Sequence, residues 1–401
     1  MKSLGKILLL EGIHPSAIQR LEEEGFEVES VQTALSEKDL AAKLNGYCAL
    51  GIRSKTQIDA SVFKAQSGTL AVGAFCIGTN QIDLETSNKM GIPVFNAPYS
   101  NTRSVAELVI AEMVALSRRL GDVNSMAHRG EWMKSAAGAH EVRGKRLGIV
   151  GYGHIGSQVS VLAEAMGLRV KYFDVIKKLP MGNATSMDKL EDLLRESDFI
   201  TLHVPETVQT KNMIGRAEMQ MMKPGAFLIN ASRGTVVDIP ALKGFLVSGQ
   251  IGGAAIDVFP QEPENNKQKF ESELQGLPNV ILTPHIGGST EEAQAAIGQE
   301  VAESLIRYLK IGQSLGAVNF PNVDVPPLQG AQRLVNVHRN VPGVLSEINS
   351  IVSKAGANIK AQYLSTDRHI GYLVMDMEQG DATGVAEQVK LLPTSISTRV
   401  L

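Results

Sequence analysis

The stretch Leu147-Gly148-Ile149-Val150-Gly151-Tyr152-Gly153-His154-Ile155-Gly156 decides how this chain is read. An apolar run leads into a G-x-G-x-x-G turn, and a helical run, Gln158 through Met166, follows it. The glycine pattern alone is a weak signal. Set between a strand and a helix, it is the turn that holds a dinucleotide. Gly151 permits the tight turn, Gly153 lets backbone amides approach a pyrophosphate, and Gly156 lets helix and strand pack closely. The helix N-terminus turns its positive end toward the phosphates.

The next apolar run, Arg169–Phe173, ends at Asp174, 18 residues after Gly156. A carboxylate there accepts the hydroxyls of the adenosine ribose and repels a 2′-phosphate, so NAD is expected rather than NADP. Lys177 and Lys178 read as charges of a solvated loop.

Outward from this turn the chain alternates. Lys6–Leu10, Phe26–Val28, Tyr47–Gly51, Leu70–Cys76 and Ile92–Phe95 read as strands, with helices at Pro15–Glu24 and from a Ser36 cap to Leu44. That order predicts a parallel sheet covered on both faces. Asn101–Arg119 predicts one long helix, apolar on most faces, which leads to Trp132 and a polar loop. Trp132 reads as an anchor for an interface or a core. A second alternating region runs to about Pro284, and Gly287–Gly312 predicts another long helix. Asn319–Gly330, with three prolines, reads as a linker. After it, six segments give β-α-β-β-α-β over about seventy residues, the ferredoxin-like motif. The fold class is α/β: two doubly wound parallel-sheet domains, one flavodoxin-like and one Rossmann, plus the small ferredoxin-like domain.

Bulk properties exclude several functions. The chain has 401 residues, room for two or three domains, and 43% of them are hydrophobic, too few for a membrane protein. The net charge of −3 comes from mixed charges with no basic stripe, so a nucleic-acid partner is not expected. Cys48 and Cys76 cannot make a disulfide framework; they read as small buried groups in a reducing cytoplasm. The apolar run before Glu11 is too short for a signal core, and no run approaches a membrane span. No metal site is expected.

Three later loops carry chemistry: Asn230-Ala231-Ser232-Arg233-Gly234, Asp257 through Pro263, and Thr283-Pro284-His285-Ile286-Gly287-Gly288. Each follows an apolar run, and ligands bind at the carboxyl ends of strands in open α/β sheets. An Arg, a Glu and a His suit hydride transfer at a 2-hydroxy acid. Arg233 holds the carboxylate and polarises the carbonyl. His285 moves the proton of the oxygen. Glu262 favours the protonated imidazole and orients it.

On these residues the chain resembles the D-2-hydroxyacid dehydrogenase family, in the form that carries a C-terminal ACT domain. The matching stretches include Phe75–Gln81, Gly151–Gly156, Leu202–Glu206, Ile229–Pro240, Ala254–Pro260 and Leu282–Glu292. The resemblance implies catalytic Arg233, Glu262 and His285. It implies NAD contacts at Gly151, Gly153, His154, Ile155, Gly156, Asp174, Val204, Ala231, Asp257 and Gly288. It implies a substrate domain of 1–101 and 288–329, interrupted by an NAD domain of 102–287, and an ACT regulatory domain of 330–401. The implied reaction oxidises 3-phospho-D-glycerate to 3-phosphooxypyruvate with NAD, the first step of L-serine synthesis, with 2-oxoglutarate reduction as a side activity. Arg53 and Ser54, with Asn101 and Arg103 at a helix start, would seat the substrate's phosphate. Lys134 would reach the substrate of a neighbouring subunit of a cytoplasmic homotetramer. L-serine would bind His338, Asn340 and Asn358 as a feedback effector. Two other readings stand beside this one: a hydroxypyruvate or 2-oxoglutarate reductase, and an NAD-sensing scaffold of the corepressor kind.

Overall fold

The computed structural model describes residues 4–66, 68–263, 267–327, 330, 332–378 and 382–401. Contacts divide the chain into two units, Met1–Ser100 with Gln294–Leu401, and Asn101–Ala293. The family resemblance places these crossings at 101/102 and 287/288 and keeps 330–401 apart.

The first unit opens with β1 (Lys6–Leu9), β2 (Glu27–Ser30), β3 (Tyr47–Ile52), β4 (Ala71–Ala74) and β5 (Val94–Asn96), parallel in the order β2-β1-β3-β4-β5. β1 and β4 read as near-continuous apolar runs because both faces of the sheet are covered. Ser36 caps the helix Glu37–Lys43 through the Asp39 amide at 3.2 Å. At Gly73 the long helix Glu291–Ile311 comes so near that a Cβ would lie 2.7 Å from Val301.

The second unit holds β6 (Arg146–Val150), β7 (Arg169–Phe173), β8 (Thr185–Ser186), β9 (Phe199–Leu202), β10 (Ala226–Asn230), β11 (Ile251–Ile256) and β12 (Val280–Leu282). They are parallel in the order β12-β11-β10-β9-β6-β7-β8. The order reverses beside β6, which is where a doubly wound sheet opens a crevice for a dinucleotide. The helix Thr102–Ser117 packs its Val105, Val109, Met113 and Leu116 into the core with Leu147 and Ile149.

The chain ends in an antiparallel sheet of β13 (Gln332–Arg339), β14 (Ile359–Thr366), β15 (Ile370–Met377) and β16 (Ser395–Val400), ordered β14-β15-β13-β16. Helices Val344–Lys354 and Ala382–Lys390 cover one face around Leu334, Ile348, Leu373 and Val389. The other face, with Val335, Val337, Tyr372 and Val374, shares a core with Tyr308 and Phe320 of the first unit. This is why every residue of β15 is buried. Arg333, with no exposed surface, pairs with both oxygens of Asp376 and donates to the carbonyls of Ile311 and Pro326.

Several sequence expectations change. The helix from Asn101 stops at Ser117, because Arg119 turns left-handed with φ 51°. A second helix, Leu120–His128, follows with no buried residue, so it lacks the apolar stripe that would have shown it. The helix expected from Gly287 begins at Glu291. The segment read as a linker is packed in its first part: Phe320, Val323 and Val325 are buried, and Ser314 Oγ donates to the Pro321 carbonyl at 2.6 Å. Its Leu328 and Gln329, like Met1–Ser3 at the start, lie outside the described residues. Among the described residues no helix is long and apolar enough to cross a membrane.

Candidate active site

The glycine turn joins β6 to the helix His154–Ala165, which begins four residues before the helical run expected from Gln158. Its three glycines differ in what surrounds them. Gly151 has φ 92°, and a Cβ there would overlap the His203 carbonyl and approach Val204. A Cβ on Gly156 would overlap the Gly151 carbonyl. A Cβ on Gly153 would meet nothing within 4 Å. The first two glycines serve the packing of the turn, whereas Gly153 keeps clear the space in front of the helix. No side chain caps this helix, so its first turn presents backbone amides to that space. His154 is exposed and Ile155 half-buried in the same turn.

Asp174 stands at the end of β7. Its Oδ2 accepts the Tyr152 amide at 2.8 Å and its Oδ1 the Ile176 amide at 2.9 Å. Two backbone donors thus aim the carboxylate, and each oxygen keeps a lone pair for a ribose hydroxyl. The uncapped helix, the cleared glycine and the aimed carboxylate fit NAD.

The three residues expected to be catalytic, Arg233, Glu262 and His285, come from three neighbouring strand ends. Asn230, fully buried at the end of β10, holds its own loop. Its Oδ1 accepts the Ser232 amide at 3.1 Å and its Nδ2 donates to the Arg233 carbonyl at 3.0 Å. Gly234 lets this loop press against the next, since a Cβ there would overlap the Phe259 carbonyl. That next loop carries Glu262, whose Oε1 accepts the Phe259 amide at 3.1 Å. Glu262 Oε2 lies 2.8 Å from His285 Nδ1. The bond occupies Nδ1 and leaves Nε2 as the nitrogen that can exchange a proton with substrate.

The electrostatics follow from this geometry. The hydrogen bond from Glu262 raises the His285 pKa above its ordinary value, against the opposing effect of burial. Burial pushes the Glu262 carboxyl up, but the His285 bond and the charges of His285 and Arg233 outweigh it and hold it below the usual range. The Glu262–His285 pair is therefore a poised acid–base group beside the Arg233 guanidinium.

Asp257, buried at the end of β11, organises the histidine loop. Its Oδ1 accepts the Thr283 hydroxyl at 2.6 Å and the Ile286 amide at 2.8 Å, and its Oδ2 accepts the Gly287 amide at 2.9 Å. These bonds keep Ile286 and Gly287 out of the helix. They also hold His285 at φ 56°, an uncommon conformation for a residue with a side chain. Ala231 and Val204 are half-buried, at the ends of β10 and β9. Gly288 lies against Asn101, where a Cβ would fall 2.5 Å from Nδ2.

The other expected residues are scattered. Arg53, half-buried, and Ser54, exposed, follow β3 in the first unit. Asn101 has a buried Oδ1 without a hydrogen-bond partner among the described residues. Arg103 is exposed and tied to Glu107 at 2.6 Å. Lys134 lies in an exposed loop beside Trp132, which is 87% exposed. His338 is buried, with Nδ1 at 2.9 Å from Asn336 Oδ1 and its ring packed on Gly371. Asn340 donates to the Asp367 carbonyl at 2.7 Å. Asn358 stands at the other end of the sheet: β14 starts opposite Met377, whereas His338 pairs with Gly371. Along β15, Gly371 and Met377 are six residues apart, about 20 Å, so the two ends are well separated within one chain.

Two buried titratable groups near the site carried no readable signal. Glu112 lies inside the apolar helix Thr102–Ser117, with both oxygens buried and without partners among the described residues. Burial, with the nearby charge of Asp257, pushes its carboxyl up to about 8. His203 is bonded through Nε2 to Thr201 Oγ1 at 2.9 Å, and burial lowers it to about 3, so it stays neutral. A lone Glu or His in an apolar run has no spacing that announces it.

The fold and the trio define an NAD-dependent dehydrogenase of D-2-hydroxy acids. The NAD binding domain of D-isomer specific 2-hydroxyacid dehydrogenases matches residues 110–287, and an ACT domain like that of the AHAS small subunit matches 334–397. The chain is 51% identical to D-3-phosphoglycerate dehydrogenase of Escherichia coli strain K12, covering 99% of this chain and 97% of that one. It is 50% identical to the D-3-phosphoglycerate dehydrogenase of Dictyostelium discoideum over the same shares. D-lactate dehydrogenase of Aquifex aeolicus, solved with NAD and lactic acid, superposes with a TM-score of 0.68 at 26% identity, over 79% of this chain and 100% of that one. The chain belongs to the D-3-phosphoglycerate dehydrogenase family.

Proposed function

We propose that this enzyme oxidises 3-phospho-D-glycerate to 3-phosphooxypyruvate, the entry to L-serine synthesis, and that it works in the cytoplasm. The observation that carries the reading is the 2.8 Å bond between Glu262 and His285 beside Arg233. NAD, when bound at the Gly151–Gly156 turn, supplies the hydride acceptor. His285 takes the hydroxyl proton through Nε2 as the carbonyl forms, and Glu262 stabilises the imidazolium. Arg233 pairs with the substrate carboxylate and polarises the C2 oxygen.

The parallel sheet of the first unit serves the substrate, with Arg53 and Ser54 on its phosphate. Asn101 adds a polar contact through its side-chain amide, and Arg103, drawn toward Glu107, adds positive charge. Lys134 reaches the substrate of a neighbouring subunit in a homotetramer. L-serine is the effector at His338, Asn340 and Asn358. Their separation within one chain supports a seat shared by two ACT domains.

NADH formation over a panel of 2-hydroxy acids tests the reaction. The expected outcome is a kcat/KM for 3-phospho-D-glycerate at least tenfold above that for D-glycerate or 2-hydroxyglutarate, about 1.4 kcal/mol of discrimination. Equal turnover of the phosphorylated and plain acids would count against the assignment. Activity unchanged at saturating L-serine would remove the effector role.

A further inference from the structure

The loop that carries Arg53 is held by a residue far from it in sequence. Glu11 stands just past β1, is 9% exposed, and has φ 65°. A side-chain-bearing residue adopts that conformation only at a cost, so the surroundings must hold it there. They do: Leu10 donates its amide to the Gly51 carbonyl at 2.9 Å, and Gly12 donates to Val31 at 3.1 Å. The turn swings the Glu11 carboxylate across the end of β3. There Oε1 accepts the amides of Arg53 at 3.2 Å and Thr56 at 2.8 Å, and Oε2 accepts the amide of Lys55 at 3.0 Å. From the other side Gln81 Nε2 donates to the Arg53 carbonyl at 2.6 Å.

A carboxylate that accepts three backbone amides of one short loop is a strong and directional clamp, because each bond is charge-assisted. It also has a consequence for ligand chemistry. Clustered backbone amides make an anion seat, but here Glu11 fills it. Glu11 takes the amides of Arg53, Lys55 and Thr56 but not that of Ser54, so an incoming phosphate meets the Ser54 amide and the side chains of Arg53 and Ser54, in the positions the clamp imposes.

We propose that Glu11 is a positioning residue for the phosphorylated end of the substrate, setting Arg53 and Ser54 through the Arg53–Thr56 backbone. This rests on the reading that Arg53 and Ser54 seat the phosphate.

The test compares Glu11→Gln and Arg53→Ala in the full-length enzyme, with 3-phospho-D-glycerate and with unphosphorylated D-glycerate. Gln keeps the shape but turns an N–H toward an amide that needs an acceptor. Glu11→Gln should raise KM for 3-phospho-D-glycerate about tenfold, with kcat and the KM for NAD within about twofold and D-glycerate turnover unchanged. Inorganic phosphate, as a competitive inhibitor, should weaken by a similar factor. Equal losses on both acids, or no change on either, overturns the proposal. If Arg53→Ala discriminates between the acids and Glu11→Gln does not, only the role of Glu11 falls. If Arg53→Ala itself fails to discriminate, the phosphate seat falls first. Should Glu11→Gln not fold, Glu11→Asp, which keeps the charge but shortens the reach, is read by the same outcomes.

Discussion

If His285 and Glu262 act as proposed, they set the pH behaviour of this enzyme. Oxidation needs a neutral imidazole, and Glu262 holds the proton on His285 to a higher pH than usual. kcat/KM for oxidation should rise with pH and level off above the raised pKa, while reduction should fall through the same region. Glu262→Gln removes the largest raising influence, so the acid limb should move to lower pH. Its plateau should drop by about 10²- to 10⁴-fold as orientation is lost. A limb that stays in place would show that another group sets the profile. The glycines separate in the same way. Gly153→Ala should fold with unchanged Tm and bind NAD more weakly, because its Cβ enters only the space in front of the helix. Gly156→Ala should lose about 1–3 kcal/mol of stability, because its Cβ meets the Gly151 carbonyl. Thermal melts and NAD titrations of the two variants check both halves.

The loops that carry Arg233, Glu262 and His285 take their shape from buried polar residues rather than from regular structure. Asp257 takes a hydroxyl and two amides from Thr283, Ile286 and Gly287. Asp257→Asn replaces one acceptor oxygen with a donor, leaving at least one of these groups unmatched. It should lower kcat by about 10²-fold, and stability by about 1–3 kcal/mol. Kinetics and urea melts measure the two effects; full activity would sink the organising role of Asp257. Apolar runs made the strands legible, and the loops that end them made Arg233, Glu262 and His285 candidates. The same reading extended one helix through Arg119 and began another at Gly287. Neither error was avoidable from local pattern, since a left-handed turn and the bonds of Asp257 set those ends. The helix Leu120–His128 was invisible because it buries nothing.

At the scale of the molecule, Arg333 ties the C-terminal sheet to the end of the long helix at Ile311 and to Pro326. Arg333→Met would leave Asp376 without its charge partner in a largely buried place, at a cost of about 3–5 kcal/mol. A double variant, Arg333→Met with Asp376→Leu, should recover much of that loss. Calorimetry of the two variants tests the pair, and equal destabilisation would show that shape rather than charge is what matters. The sequence by itself determined the parallel sheets, the dinucleotide turn, the preference for NAD, the three loops that carry the proposed catalytic residues and the small C-terminal motif. Each is written in neighbouring residues: periodicity, turn glycines, and a carboxylate at a set distance from a turn. Only the tertiary structure decided that the C-terminal sheet shares a core with the parallel sheet of the same unit, and that Asn358 stands far from His338. It alone decided that Glu11 grips the Arg53 loop, 42 residues along the chain. The physical reason is common to all three. Hydrogen bonds and apolar contacts between distant segments depend on how the sheets bring strand ends together, and no local spacing encodes that.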